Sequence, residues 1–412
     1  MRYTEEKAEK KVLQLSFVNF KKDTYILVEG KEDTDRFYII QSGHVKLFHQ
    51  SEVPGSESSV LGPGDFVGVI SCMARRAQVE TCVAMSDVVC IAVQRDQYIA
   101  LIEKNTSVAL KIIRTFAARM RKVNETLMKQ TQSTTSREDF EQLYNVASYF
   151  DAQQQFDIAF FAYYQYVKMN NTSENAKKAL KRVAVLKPRV NAPYLEPSSD
   201  LVRKYPRGSM VFSEAQKGAD MFIIKSGTIK ISKVVDGTEV TLAMLKAGDM
   251  FGEMALLENK PRSANAIATE DCVLMSINMQ NFNQMVSTQA QMVDRLTTTL
   301  SERLWSMQRQ LSNTILRSNP VAQMTDMLAL QIEKMRISVG KGSQFMTNFT
   351  AEDIATMCGL SKNDQARYLY TFMNTPIIKI EKGKIFIPDC LELLKQAEFY
   401  RKQVQRQNQN QN

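Results

Sequence analysis

"GDMFGEMALLENKPRSANAIA", residues 248–268, decides how this chain is read. A glycine, Gly252, is followed at once by a carboxylate, Glu253, and then, behind a proline, by a guanidinium, Arg262. Two surface charges would need no such frame, because an exposed ion pair is worth only ~0–1 kcal/mol. The frame is also repeated in the chain. "YIIQSGHVK" (38–46) matches "FIIKSGTIK" (222–230), and "GPGDF" (62–66) matches "KAGDM" (246–250). Residues 24–93 and 209–277 are two copies of one unit, and such duplication sets the architecture before any local element is assigned.

Each copy reads as short strands. "TIKISKV" (228–234) alternates, with Ile229, Ile231 and Val234 bracketed by Lys230 and Ser232, and "EVTLAML" (239–245) puts Val240, Leu242 and Met244 on one face. Asp236-Gly237 stands where a tight hairpin needs positive φ. Many short strands with such turns predict a small antiparallel barrel or jelly roll. A long helical pattern follows each copy, at 107–130 and 290–319. In the second, Met292, Leu296, Leu300, Leu304, Met307 and Leu311 recur at helical steps, a stripe suited to a partner helix or to its own barrel.

Between the copies, 137–186 is helical and rich in Ala, Tyr and Phe. Ala147, Phe150, Ala159 and Tyr163 have the spacing of one tetratricopeptide-type (TPR-like) helical hairpin. A solitary repeat of this kind cannot bury its own face, so it reads as a bridge packed on a barrel. "KPRVNAPYLEPSSD" (187–200) is a linker. Further on, Thr350 and Asp353 mark a helix start, Gly359 a stop and Ser361 a second start, which makes a helix-turn-helix. "IIKIEKGKIFIP" (377–388) is a hairpin around Lys382-Gly383, and "RQNQNQN" (406–412) is a polar, disordered tail.

Composition bounds the function. The chain has 412 residues, 24% charged and 44% hydrophobic, which fits several soluble domains. "MRYTEEKAEKKVLQL" lacks the apolar core of a secretory signal, and no run approaches a membrane span, so a cytoplasmic protein is expected. The six cysteines form no C-x-x-C pair and read as buried thiols; with two histidines, no metal is expected. A net charge of +9 permits an acidic partner without requiring one. No nucleophile-base set or paired acid and base appears, so an enzyme is not expected.

The opening stretch resembles the phosphate-binding cassette of cyclic-nucleotide-binding domains, and the whole chain resembles the cyclic-AMP receptor (catabolite activator) and FNR-like regulators, with the sensory barrel duplicated and a helical insert added. The resemblance implies an α+β multidomain chain: a first barrel with its helix (1–136), a TPR-like hairpin (137–188), a second barrel with a long helix (189–318), a winged helix-turn-helix (319–390), and a helical or disordered tail (391–412). It implies a ligand site at Gly252, Glu253, Met254, Ala255, Arg262, Ser263 and Ala264. Chemistry agrees with it. Arg262 offers a planar fork that matches phosphate oxygens. Gly252 lets backbone approach the ribose, and Glu253 accepts from the 2′-hydroxyl. The expected ligand is cyclic AMP, with cyclic GMP the alternative, the base being met by the helix at Thr297–Gln308. In the first copy, alignment on the Gly-Asp pairs puts Gly68 opposite Gly252, Val69 opposite Glu253 and Gln78 opposite Arg262. Both charged poles are gone, so this copy is expected not to bind a cyclic nucleotide in the usual way.

The resemblance also assigns Ser361, Lys362, Asn363 and Arg367 to DNA phosphates or base edges, with Lys379, Lys382 and Lys384 on the wing. Gln365 departs from the family, which buries an aliphatic residue there, and residues 340–389 are nearly neutral. The expectation is a cyclic-nucleotide-responsive, DNA-binding transcription regulator that binds double-stranded DNA, not membranes, as a homodimer through helix 290–318, with a pseudo-dimer of its own two barrels as the alternative. The alternative is a tandem cyclic-nucleotide-sensing adaptor that regulates a protein partner.

Overall fold

A computed structural model describes residues 13–49, 58–130, 140–169, 172–196, 198–235, 237–337 and 339–409. The expected boundary at 136–137 lies outside them. The duplication becomes two antiparallel sandwiches of the same topology. The first has β1 (Ser16–Phe20), β2 (Tyr25–Leu27), β3 (Arg36–Ser42), β4 (Val45–Phe48), β5 (Ser59–Leu61), β6 (Phe66–Val67), α1 (Val69–Ala74), β7 (Thr81–Ala84) and β8 (Val88–Gln94). Its sheets run β1-β8-β3-β6 and β2-β7-β4-β5. Helices α2 (Tyr98–Lys104) and α3 (Thr106–Gln130) follow.

After α4 (Glu141–Ala152), α5 (Phe156–Met169) and α6 (Glu174–Leu186) comes the second sandwich: β9 (Val202–Tyr205), β10 (Met210–Phe212), β11 (Asp220–Ser226), β12 (Ile229–Val235), β13 (Thr238–Leu245), β14 (Met250–Phe251), α7 (Glu253–Glu258), β15 (Asn265–Ala268) and β16 (Cys272–Asn278). Its sheets, β9-β16-β11-β14 and β10-β15-β12-β13, repeat the first order strand for strand. The β12–β13 turn falls where expected: Val235 pairs with Thr238, and Gly237 has φ 71°; Asp236 is outside the described residues. Leu242 and Met244 share one face of β13, as expected, and that face is the outer one, while Leu245 is buried. Ile231 pairs with Ala243 and Ser232 with Thr241, which leaves Leu242 as an extra residue on β13.

The insert also departs from expectation: it holds three helices, not a two-helix hairpin. Phe150, Phe161 and Tyr166 form its core, and Met210, Ala215, Val234 and Ile267 of the second sandwich complete that core, so the bridge does pack on a barrel. Gln142 fixes the docking by donating to the Val234 carbonyl at 2.9 Å.

Helices α8 (Met279–Thr288), α9 (Ala290–Asn313) and α10 (Pro320–Met335) lead to β17 (Phe345–Met346), α11 (Ala351–Met357), α12 (Lys362–Met373), β18 (Lys379–Glu381), β19 (Lys384–Ile387) and α13 (Cys390–Gln409). The polar tail is thus helical as far as Gln409, and residues 410–412 lie outside the described part. No described helix is long and apolar enough to cross a membrane. All six cysteines are free and buried.

The chain forms two compact units that do not follow chain order. One comprises residues 1–98, 123–132 and 301–412; the other comprises 99–122 and 133–300. Each unit therefore takes one sandwich together with part of the helix that follows the other. On α9, Leu296, Leu300, Leu304 and Leu311 are buried, and Met292 and Met307 are half-buried.

Candidate functional site

In the second sandwich Gly252 takes φ 80°, a left-handed conformation, and caps α7, so that Glu253 turns inward directly after β14. Glu253 is 3% exposed and Arg262 6%, so both poles leave the surface and share one interior. The backbone of Arg262 is fixed on both sides: its N–H donates to Gln216 O, and its carbonyl accepts from Ala215 N, each at 2.9 Å. The guanidinium stacks 4.2 Å from the Phe212 ring centre and donates from Nη1 to the Gly252 carbonyl at 2.8 Å. Its Nε is buried with no hydrogen-bond partner among the described residues. Burial pulls the Arg262 pKa down to about 10, with Asp220 and Glu253 opposing that fall. A buried cation with donor capacity to spare is suited to an anion.

Gly252, expected from the sequence, and Gly218, which sequence reading did not single out, make the space: a Cβ on Gly218 would meet the Arg262 guanidinium at 2.5 Å, and one on Gly252 would meet Nη1 at 2.8 Å. Phe212, Phe222 and Phe251 wall the interior with ring centres 5.4–6.1 Å apart. Arg203, paired with Asp220 at 2.9 Å, lies over Phe222. The repeat "EAQKG" (214–218) against "EGKED" (29–33) carries the Gly218 signal, but only a side chain lying across it reveals its meaning. Of the remaining expected residues, Ala255 and Ala264 are buried, and the Ser263 hydroxyl reaches Met254 Sδ at 3.7 Å. Thr297, expected near the base, donates its hydroxyl to the Val293 carbonyl.

The first sandwich keeps the backbone and replaces the side chains. Gly30 N donates to Gln78 O, and Gln78 N to Lys31 O, each at 2.8 Å, the counterparts of the Ala215 and Gln216 bonds to Arg262. The alignment of Gln78 with Arg262 is thus reproduced by backbone hydrogen bonding. Gly68 repeats the left-handed cap at φ 77°, and buried Val69 replaces the carboxylate. Counting on from Lys31, Asp33 stands where Gly218 makes room, and its carbonyl accepts from the Gln78 amide at 2.6 Å. An internal hydrogen bond occupies the position of the cation.

In the C-terminal segment the expected cap is complete: Asp353 N donates to Thr350 Oγ1 at 3.1 Å, and Thr350 N to Asp353 Oδ2 at 2.8 Å. Ser361 Oγ accepts from Asp364 N, so this hydroxyl is engaged in capping α12. Lys362 is the first residue of that helix. Asn363 and Arg367 are exposed on it, Arg367 lying 5.2 Å from the Tyr368 ring centre. Gln365 is half-buried and donates to the Leu360 carbonyl at 3.0 Å, which accounts for an amide at an apolar position. Lys379 and Lys382 are exposed, while Lys384 Nζ donates to Asn348 O at 2.6 Å.

The sequence model of the family described as cyclic nucleotide-binding domain matches residues 17–105 and 202–289, which are the two sandwiches. The chain is 26% identical over 194 residues to the CRP-like cAMP-activated global transcriptional regulator of Mycobacterium tuberculosis, covering 47% of this chain and 86% of that protein. It is 24% identical over 206 residues to the cyclic AMP receptor protein of Thermus thermophilus, covering 48% and 88% respectively. It is also 36% identical over 99 residues to the cAMP-dependent protein kinase regulatory subunit of Mycosarcoma maydis, covering 23% of this chain and 19% of that one.

Proposed function

We propose that this chain, which carries two cyclic nucleotide-binding domains and is a relative of the CRP-like cAMP receptors, is a transcription regulator that binds one cyclic nucleotide, cyclic AMP before cyclic GMP, in its second sandwich. The observation that carries this reading is Arg262: buried, backbone-anchored, and holding an unpartnered Nε beside an equally buried Glu253. Phosphate would accept from Arg262 and the ribose 2′-hydroxyl would donate to Glu253. Gly252, Met254, Ala255, Ser263 and Ala264 would line the wrap between them.

The C-terminal segment reads as a winged helix-turn-helix, with α12 as the recognition helix and β18–β19 as the wing. Asn363 and Arg367 are its base- or phosphate-facing candidates, with Lys379 and Lys382 on the wing. Ser361 and Lys384 would need to leave their internal bonds to contribute. Fluorescence anisotropy with double-stranded DNA, with and without cyclic AMP, tests the reading: it predicts salt-dependent binding that the ligand alters and that Arg367→Ala weakens. A second reading, a sensor that regulates a protein partner, is favoured by the kinase regulatory-subunit match. It would show the ligand response with no DNA binding at any salt concentration.

A further inference from the structure

The duplication extends beyond the sandwiches into the helices that follow them. The spacing that sets Gly252 against Gly68 and Arg262 against Gln78 also sets Pro261 against Ala77 and Trp305 against Arg121. In the unit that holds the second sandwich, Arg121 of α3 pairs with Glu258 at the end of α7 and reaches the Pro261 carbonyl at 3.5 Å. In the other unit, Trp305 of α9 donates its Nε1–H to the Ala77 carbonyl at 3.0 Å. Donors at counterpart positions thus reach carbonyls at counterpart positions, in each case the residue before the one at the cation's place. Two unrelated surface contacts would not fall on matched residues at both ends.

The chemistry of the two donors differs as the two loops differ. The first loop holds Gln78 and receives a neutral indole, supported by Arg76, which lies 5.1 Å from the Trp305 ring centre, and by Arg336, which donates to Ala74 O at 3.1 Å. The second loop holds Arg262 and receives a guanidinium whose charge Glu258 balances, with side-chain exposures of 7% and 11%. A buried pair of this kind fixes geometry, because leaving either charge unpaired is costly.

We propose that Arg121 is a positioning residue for the ligand site of the second sandwich. Through Glu258 and the Pro261 carbonyl it holds the 258–261 loop that delivers Arg262, so the helix after the first sandwich completes the site within one chain. The first sandwich, without poles of its own, thereby contributes its following helix to the neighbouring site. This proposal rests on the ligand reading given above.

Calorimetric titration of the full chain with cyclic AMP tests it, using wild type, Arg121→Met, Arg121→Glu, Glu258→Arg, the double reversal and Arg262→Ala, with each variant's melting temperature measured without ligand. Arg121→Met is expected to bind about tenfold more weakly, and the double reversal to bind at least about fivefold more tightly than either single reversal. If Arg121→Met fails to fold, the reversal series decides alone. Wild-type affinity in Arg121→Met, or a double reversal no better than its parents, overturns the proposal; if Arg262→Ala abolishes binding in the same series, the ligand reading survives. A wild type that takes up no cyclic nucleotide overturns both.

Discussion

Gly218→Ala adds one methyl group and no charge, yet it should close the ligand site. Its Cβ would lie 2.5 Å from Arg262 Nε, 2.6 Å from Nη2 and 2.7 Å from Cζ. Ordinary heavy-atom contacts lie near ~3.5 Å, so the guanidinium must move by about 1 Å. Phe212 on one side and the Gly252 carbonyl on the other block a small retreat, so the group swings out of the pocket. The backbone accepts alanine, because Gly218 is not in the left-handed region. Losing two charge-assisted contacts at ~1.5–3 kcal/mol each costs about 3–6 kcal/mol of binding. At ~1.4 kcal/mol per tenfold, that is a loss of roughly 10²–10⁴ in affinity. The assay is calorimetry with cyclic AMP, paired with thermal melting without ligand, where the change should stay within about 1 kcal/mol. An affinity within threefold of wild type would refute the assignment of Arg262 as the phosphate cation.

Four further outcomes follow from the same geometry. In the first sandwich, Val69→Glu with Gln78→Arg should create no cyclic nucleotide affinity until Asp33→Gly is added, because Asp33 stands at the place of Gly218; calorimetry on a background of Arg262→Ala isolates this copy. Ligand affinity should be flat from about pH 6 to 8 and fall only as pH rises through Arg262's depressed value of about 10, where that base loses its charge; titrations across pH read this. Asp326 is fully buried and accepts from Arg309, Arg401 and Asn313 at 2.6–2.9 Å; burial raises its pKa, but Arg309 and then Arg401 hold the carboxyl below its ordinary value. Its contribution is present above the ordinary carboxylate pKa and lost as pH falls through the depressed one, so Asp326→Asn should cost ~3–5 kcal/mol near neutrality and flatten the acid limb of a urea-unfolding pH series. Arg367→Ala should reduce the slope of log affinity against log salt by about 0.9 if it meets a phosphate, measured by DNA anisotropy.

Much of this was legible in the residues, for identifiable reasons. The repeated Gly-Asp pairs and Ser-Gly turns require the same backbone in both copies, so the two sandwiches and the degeneracy of the first could be read off by alignment. Capping at Thr350, Asp353 and Ser361 is local chemistry and was visible for that reason. What failed was non-local. Alternation puts Leu242 and Met244 on one face of β13 but does not say whether that face is the inner or the outer one. The stripe on α9 suits a partner helix and its own barrel equally, and periodicity alone does not choose between them. Gly218 and Phe212 lie far from Arg262 in sequence, and their roles depend on a guanidinium crossing between strands. Arg121 lies 137 residues before Glu258 in the chain, and only the fold brings the two together.

The most direct test of the account is the calorimetric stoichiometry of cyclic AMP on the wild-type chain. One ligand per chain, abolished by Arg262→Ala and unaffected by Gln78→Ala, is the predicted result. Two ligands per chain, or one that persists without Arg262, would contradict it.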